Sequence, residues 1–180
     1  MVEERLGVPE LGESGGAVAL FESDKTPVDD GFMGEVLGLM ALSREELIGI
    51  VGGLGEGTLD AVLVPGKRSA RRDITHVVDA EEWYVSQLGR RHQEIYEEGL
   101  RGEVGQGRLG TVERLRITRP YMVAALEAAL AEDRQGPFVR KAHVKYPEEE
   151  WTLRKVLRRF LEHEREHVWT IEKTLGELHA

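Results

Sequence analysis

Met33, Val36, Leu37, Met40, Leu47, Ile48, Val51 and Leu54 recur at the three- and four-residue spacing of one helix face. TPVD just before them offers Thr26 as N-cap, Pro27 at the first helical position and Asp29 at the third, and the Gly52-Gly53 pair marks the end. Ser43 with Glu46 has capping-box spacing and Leu42 with Leu47 that of a hydrophobic staple, so a break at Ser43 is the alternative. One continuous helix is the reading adopted, because the apolar stripe runs through. A second helical pattern starts at Ser69 and runs to Gly99, where closely spaced glycines up to Gly110 make a loop. Thr111 then caps a third, carried by Leu115, Met122, Val123, Leu126 and Leu130 to about Asp133, with a kink or restart expected at Pro120. The fourth runs from about Glu148 to Leu178 on Leu153, Val156, Phe160, His163, His167 and Ile171.

Between these patterns, GEGTLDAVLVPGKR reads as a loop with room for one helical turn, and GPFVRKAHVKYP as an irregular connection. Residues 1–25 are rich in glycine and acid, and their one apolar run, GAVALF, reads as a lone strand or ordered tail with little share in the core. Four amphipathic segments without convincing strand pairs predict an all-α fold, an antiparallel four-helix bundle over residues 26–178 behind a mostly irregular N-terminal extension, residues 1–25.

Length allows one ordinary core: 180 residues, 41% hydrophobic and 32% charged, describe one folded domain. A net charge of −9 argues against a nucleic-acid partner, since phosphate contacts need clustered Lys and Arg. KRSARR, Lys67 to Arg72, is the local exception and reads as a solvated loop and helix start. No stretch of about 18 apolar residues is present and the opening lacks signal-peptide order, so no membrane span and a cytoplasmic location are expected. Cysteine is absent, so a metal would have to sit on His, Asp or Glu.

That restriction gives weight to HEREH, in which His163, Glu164 and His167 match the H-E-x-x-H zinc-peptidase signature. Histidines four apart stack on one helix face, about 6 Å apart along the axis, and here that face is the apolar one. A third ligand decides between a metal site and two core histidines. His76, His92, His143 and His179 are the candidates. His76 flanks the apolar face of ITHVVDAEEWYVSQL, at helical spacing with Ala80 and Trp83. His92 falls in the charged run RRHQE and is expected to be solvated, while His143 in a loop and His179 at a chain end are expected to be exposed. Asp79 and Glu164 are candidate outer-shell partners and Trp83 a candidate pocket residue.

ITHVVDAEEWYVSQL followed at this distance by EWTLRKVLRRFLEHEREHVWTIEKTL resembles the DinB/YfiT-like superfamily of four-helix bundles, over about Thr26 to Leu178. The resemblance implies a three-histidine divalent metal site at His76, His163 and His167. Some members are thiol-dependent transferases or isomerases and many have no known activity, so it implies a fold more firmly than a reaction.

A peptidase is disfavoured, because the extended signature would need Gly where Thr170 stands and His where Lys173 stands. Two readings remain. In the first, three imidazoles leave a coordination position open, and the protein is a metal-dependent transferase or hydrolase acting through water or a low-molecular-weight thiol, which a cysteine-free chain must take from a small-molecule substrate. In the second, the bundle is non-catalytic, with a structural metal or a partner-binding role. Zinc is the first expectation for the cofactor, with nickel or iron next, because imidazole suits all three. A homodimer is expected from the general frequency of symmetric pairs.

Overall fold

A computed structural model describes residues 19–103, 109–139 and 148–176. After a 3-10 turn at Glu22–Lys25 come α1 (Asp30–Val51), α2 (Glu56–Asp60), α3 (Ala70–Gln87), α4 (Arg90–Glu103), α5 (Thr111–Ala131), the short strands β1 (Phe138–Val139) and β2 (Glu150–Trp151), and α6 (Leu153–Gly176). The fold is an all-α bundle, and no described helix is long and apolar enough to cross a membrane.

Helix α1 is continuous through Ser43, as expected, but Asp29 rather than Thr26 caps it: the Asp29 carboxylate accepts from the Phe32 N–H at 2.8 Å. TPV stays outside the helix because the Val28 backbone is used elsewhere. Its N–H donates to Gln135 Oε1 at 2.9 Å and its carbonyl accepts from Gln135 Nε2 at 3.0 Å.

The second helical pattern is divided. Ser69 caps α3, which stops at Leu88; Gly89 adopts φ 119°, a conformation open to glycine, and α4 folds back against α3 and α5. The packing of Gly99 against Tyr121 and the approach of His92 to Glu132 fix that reversal. Helix α5 runs unbroken through Pro120, and its N-cap is Gly110 rather than Thr111. Thr111 instead accepts at its Oγ1 from Arg71 Nη1, at 2.6 Å. β1 and β2 form a two-residue antiparallel ladder, Phe138 opposite Trp151. This commits Glu150 and Trp151 to extended backbone and delays α6 to Leu153, five residues past the expected start at Glu148, with Thr152 Oγ1 accepting from the Lys155 N–H at 3.0 Å.

Helices α1, α3, α5 and α6 form the body of the bundle. Tyr84 meets Phe160 while His76 meets His167, so α3 and α6 run in opposite senses. Arg44 bonds the Leu115 carbonyl while Val28 pairs with Gln135, so α1 opposes α5. Phe32 under Arg154 and Glu46 beside Arg165 show that α1 runs with α6.

The core has two apolar clusters. One gathers Met33, Met40, Tyr84, Leu88, Met122, Leu126, Leu157 and Phe160, and the other Leu47, Val51, Ile74, Val77, Leu115, Val168 and Ile171. Between them, each of these four helices turns one charged residue inward: Arg44, Glu81, Arg119 and Glu164, from α1, α3, α5 and α6, all at most 13% exposed. Arg44 donates to Glu164 at 2.7 Å, to Glu81 at 2.5 Å and to the Leu115 carbonyl at 2.7 Å, and Arg119 donates to Glu164 at 2.5 Å. Burial works against the Arg44 charge, but Glu81 and Glu164 outweigh it and raise its pKa. Removing one partner from such a set costs about 3–5 kcal/mol, because it strands a buried charge.

The described part of the N-terminal segment is not detached from this body. Ala19 and Asp24 are buried, Arg158 of α6 bonds the Asp24 carboxylate at 2.8 and 2.9 Å, and Thr152 donates to the Asp24 carbonyl at 2.6 Å. Of the run GAVALF, residues 16–18 lie outside the described residues, and Ala19 to Phe21 form no strand.

Candidate metal centre

Opposed directions of α3 and α6 place His76 against both His163 and His167. The Nε2 atoms of His76 and His163 stand 3.2 Å apart, and the three ring centroids are 4.9, 5.1 and 4.6 Å apart, all edge to face. Each ring offers a ligand nitrogen, and the three lie within 4.8 Å of one another. Nitrogens bound to one tetrahedral ion at about 2.0–2.1 Å would be roughly 3.3–3.5 Å apart, so the trio needs only small adjustments to fit a divalent cation.

Electrostatics favour the ligand-competent form. Burial first, then His167, His76 and the charges of Arg159 and Arg68, push the His163 pKa down to about 3. Burial, Arg68 and His167 also lower that of His76, against the opposing pull of Asp73 and Asp79. A neutral imidazole is the state that binds a metal.

Asp73, buried one turn before His76 on α3, places its Oδ1 3.3 Å from His167 Nδ1. The pair is close but not aligned as a hydrogen bond, so Nδ1 has no hydrogen-bond partner. A carboxylate behind a histidine is the usual support for a metal ligand, fixing its tautomer. Exposed Arg68 approaches Asp73 at 3.6 Å.

The residues expected around the trio are placed differently. Asp79 is 63% exposed and faces Arg114 of α5 at 3.4 Å; the carboxylate beside the trio is that of Asp73. In an antiparallel pair, moving from His163 to His167 moves toward the start of α3, and that direction selects the acid three residues before His76 over the one three after. Glu164 belongs to the buried charge layer, held by Arg44 and Arg119, because its place beside His163 in sequence turns it about 100° around the helix. It is therefore not placed as the general base of a peptidase, and among the described residues α6 runs on through Gly176 and brings no further His, Asp or Glu to the trio. Trp83 packs edge-on against Trp151 and Tyr84, and it is Tyr84 whose ring reaches His163, at 5.8 Å. The Tyr84 hydroxyl is 3.3 Å from Arg159 Nη2, and Arg159 also donates to Glu162 at 2.8 Å. Tyr84 had only the apolar helix face as its signal, and Arg159 none beyond its position one turn before His163.

His92 is not solvated as expected. It is 3% exposed, with Nε2 3.4 Å from Glu132, because the fold-back of α4 covers it. It takes no part in the trio. His143 and His179 lie outside the described residues. Arg71 of the KRSARR run is tied to Glu56 and Asp60 of α2 and to Thr111.

Searches of curated proteins and of solved structures return no match. A family model described as the DinB superfamily matches residues 39–171, which takes in the trio, Asp73, Tyr84 and the whole charged layer. The chain belongs to the DinB superfamily.

Proposed function

We propose that this protein is a metal-dependent enzyme acting on a small molecule, with His76, His163 and His167 as protein ligands of one divalent cation and a low-molecular-weight thiol or water as nucleophile. The observation that carries the reading is the convergence of three imidazole nitrogens within 4.8 Å on two helices, with no fourth His, Asp or Glu joining them among the described residues. When bound, the cation would supply Lewis acidity at its open position, enough to ionise a thiol or water near neutral pH. Zinc is the first choice by general frequency, with nickel and iron next.

The chain's own residues divide the remaining tasks. Asp73, 3.3 Å from His167 Nδ1, would hold that ring once the two came into line, leaving Nε2 to bind the cation. Burial raises the Tyr84 pKa despite Arg159, so the phenol keeps its proton and its O–H can donate a hydrogen bond to a substrate oxygen. Arg159 steadies that hydroxyl at 3.3 Å. The half-exposed Arg68 brings positive charge to the Asp73 side of the trio, where it would favour an anionic group on the substrate or nucleophile.

Cobalt replacement tests the reading. Cobalt-loaded protein titrated with a small thiol should develop a sulfur-to-cobalt charge-transfer band that the His163→Ala variant lacks. A cobalt spectrum indifferent to thiols and to azide would mean a closed site and turn the reading to a structural metal in a non-catalytic bundle.

A further inference from the structure

His76, Ala80 and Trp83 follow one another on α3 at the i, i+4 and i+7 spacing that returns to the same side of a helix after two turns. His76 and Trp83 both carry large rings and are about 10.5 Å apart along the axis. Of the residues between them on that side, Asp79 turns away to Arg114 of α5, which leaves only the methyl group of Ala80. The surface of α3 is therefore notched between the metal-binding imidazole and the indole. Across the seam α6 sets His163 against His76 and Arg159 against the Tyr84 hydroxyl.

Trp83 is held in place from two sides. Its ring stands edge-on to Trp151 at 5.3 Å and to Tyr84 at 5.2 Å, and its carbonyl accepts from Ser86 Oγ at 2.6 Å and from Gln87 Nε2 at 3.0 Å. Trp151 is itself buried, fixed by its pairing with Phe138 and by the Lys155 ammonium over its ring. Yet Trp83 is 39% exposed. Part of the indole thus meets solvent in a fixed orientation, the condition under which an aromatic surface binds at low entropic cost. Of the exposed large apolar side chains described, Trp83 is the one joined to the histidine trio by ring contacts, through Tyr84, whose ring is 5.8 Å from that of His163. Glu162 and Glu166 bring negative charge to the neighbourhood of Tyr84, which disfavours an anionic ring at this end of the seam.

We infer that Ala80 and Trp83 form the part of the substrate site that receives an uncharged aromatic ring, stacked on the indole and resting over the Ala80 methyl, while the reacting group lies at the open position of the cation. The inference rests on the metal reading and gives it a substrate class: a small molecule whose flat apolar ring is joined by a short link to the atom that meets the metal. Offset stacking on a fixed indole adds to what burial of the ring alone contributes. The short side chain at Ala80 sets the room for that ring.

Benzohydroxamate and acetohydroxamate carry the same metal-binding head and differ in the ring. Titrated into the cobalt-loaded full chain and followed in the cobalt spectrum, benzohydroxamate should bind about tenfold tighter or more. Trp83→Ala should erase that preference. Ala80→Leu fills the notch while leaving Trp83 and its ring contacts in place; it should erase the preference as well, and it decides the matter should Trp83→Ala melt early through loss of its contact with Trp151. Equal affinity of the unaltered chain for the two hydroxamates, or a ring preference undiminished in a folded variant, overturns the aromatic subsite and leaves the metal reading standing. A cobalt spectrum that responds to neither hydroxamate overturns the metal reading, and the subsite with it.

Discussion

Two histidine environments lie along α3 and just beyond it, the first half-buried and the second buried. Before its midpoint, His76 meets His163 and His167, with the charges of Arg68 and Arg159 nearby. Just past its end, His92 sits alone in a wall of arginines beside Glu132. Burial holds His76, His163 and His92 neutral in both places. The neighbours separate them: the ligand nitrogens of His76, His163 and His167 lie within 4.8 Å of one another, whereas His92 stands by itself between Glu132 and the Leu88 carbonyl. Among the described residues, only the first grouping brings three donors near enough to share a cation.

The comparison breaks most visibly at His163. His163→Ala should lower divalent-metal affinity by orders of magnitude, measured by metal content after dialysis against a chelator, and leave the His92 side-chain resonances untouched. Full metal occupancy in that variant would remove the trio from the metal site.

Acid comes next. The folded-state pKa of His163 is about 3, below the unfolded value of about 6.5, so between these values the unfolded chain binds more protons and stability rises with pH. The contribution is complete above about pH 6.5 and is lost as pH falls toward about 3. Metal-free protein should therefore melt at lower temperature at about pH 4 than at about pH 7, and His163→Ala should flatten that slope without abolishing it, since His76 and His92 shift in the same direction. A melting temperature independent of pH across this window would contradict the buried neutral state.

Asp73→Asn should reduce metal affinity by about 10- to 100-fold, in the range found for outer carboxylates behind metal-bound histidines. Competition with a chelating dye would measure it, and a change under twofold would show that Asp73 does not support His167. At the other histidine, Gly89→Ala should cost about 1–3 kcal/mol in a denaturant melt, because φ 119° strains any Cβ and the added carbon would stand 3.4 Å from Arg134 Nη2. Metal affinity should be unchanged in that variant. The smallest effect is expected from Asp79→Asn, within about 0.5 kcal/mol in stability and without consequence for metal, since that carboxylate is on the surface. A loss of metal affinity there would restore Asp79 to the site.

These contrasts follow what the sequence could express. Helical spacing sufficed for the all-α fold and for bringing His163 and His167 to the inner face of α6, because periodicity is a property of one helix alone. Contacts between helices were less legible. Asp73 and Asp79 are both three residues from His76, and only the relative direction of α3 and α6 tells them apart. His92 looked solvated among RRHQE because its burial comes from a reversal at Gly89, and one glycine inside a helical pattern carries no sign of the φ it will adopt. Glu164 lay within a catalytic signature, but its carboxylate answers to Arg44, 120 positions earlier in the chain.

The charged layer has a consequence for alignment. Each of the four main helices contributes one member to it, with an apolar cluster on either side. Sliding any helix by one turn, about 5.4 Å, would drive its charge into hydrocarbon and leave three partners unmatched, so the layer works as a registration mark that only one stacking satisfies. His163 adjoins that mark on α6 and His76 is five residues from it on α3, so the meeting of the three imidazoles inherits its accuracy from four residues that never touch them as ligands. Replacing all four with apolar residues of similar volume should yield a bundle that melts at equal or higher temperature yet gives broadened amide spectra and scattered metal affinities. Sharp spectra and an intact site in that variant would place the alignment elsewhere in the core.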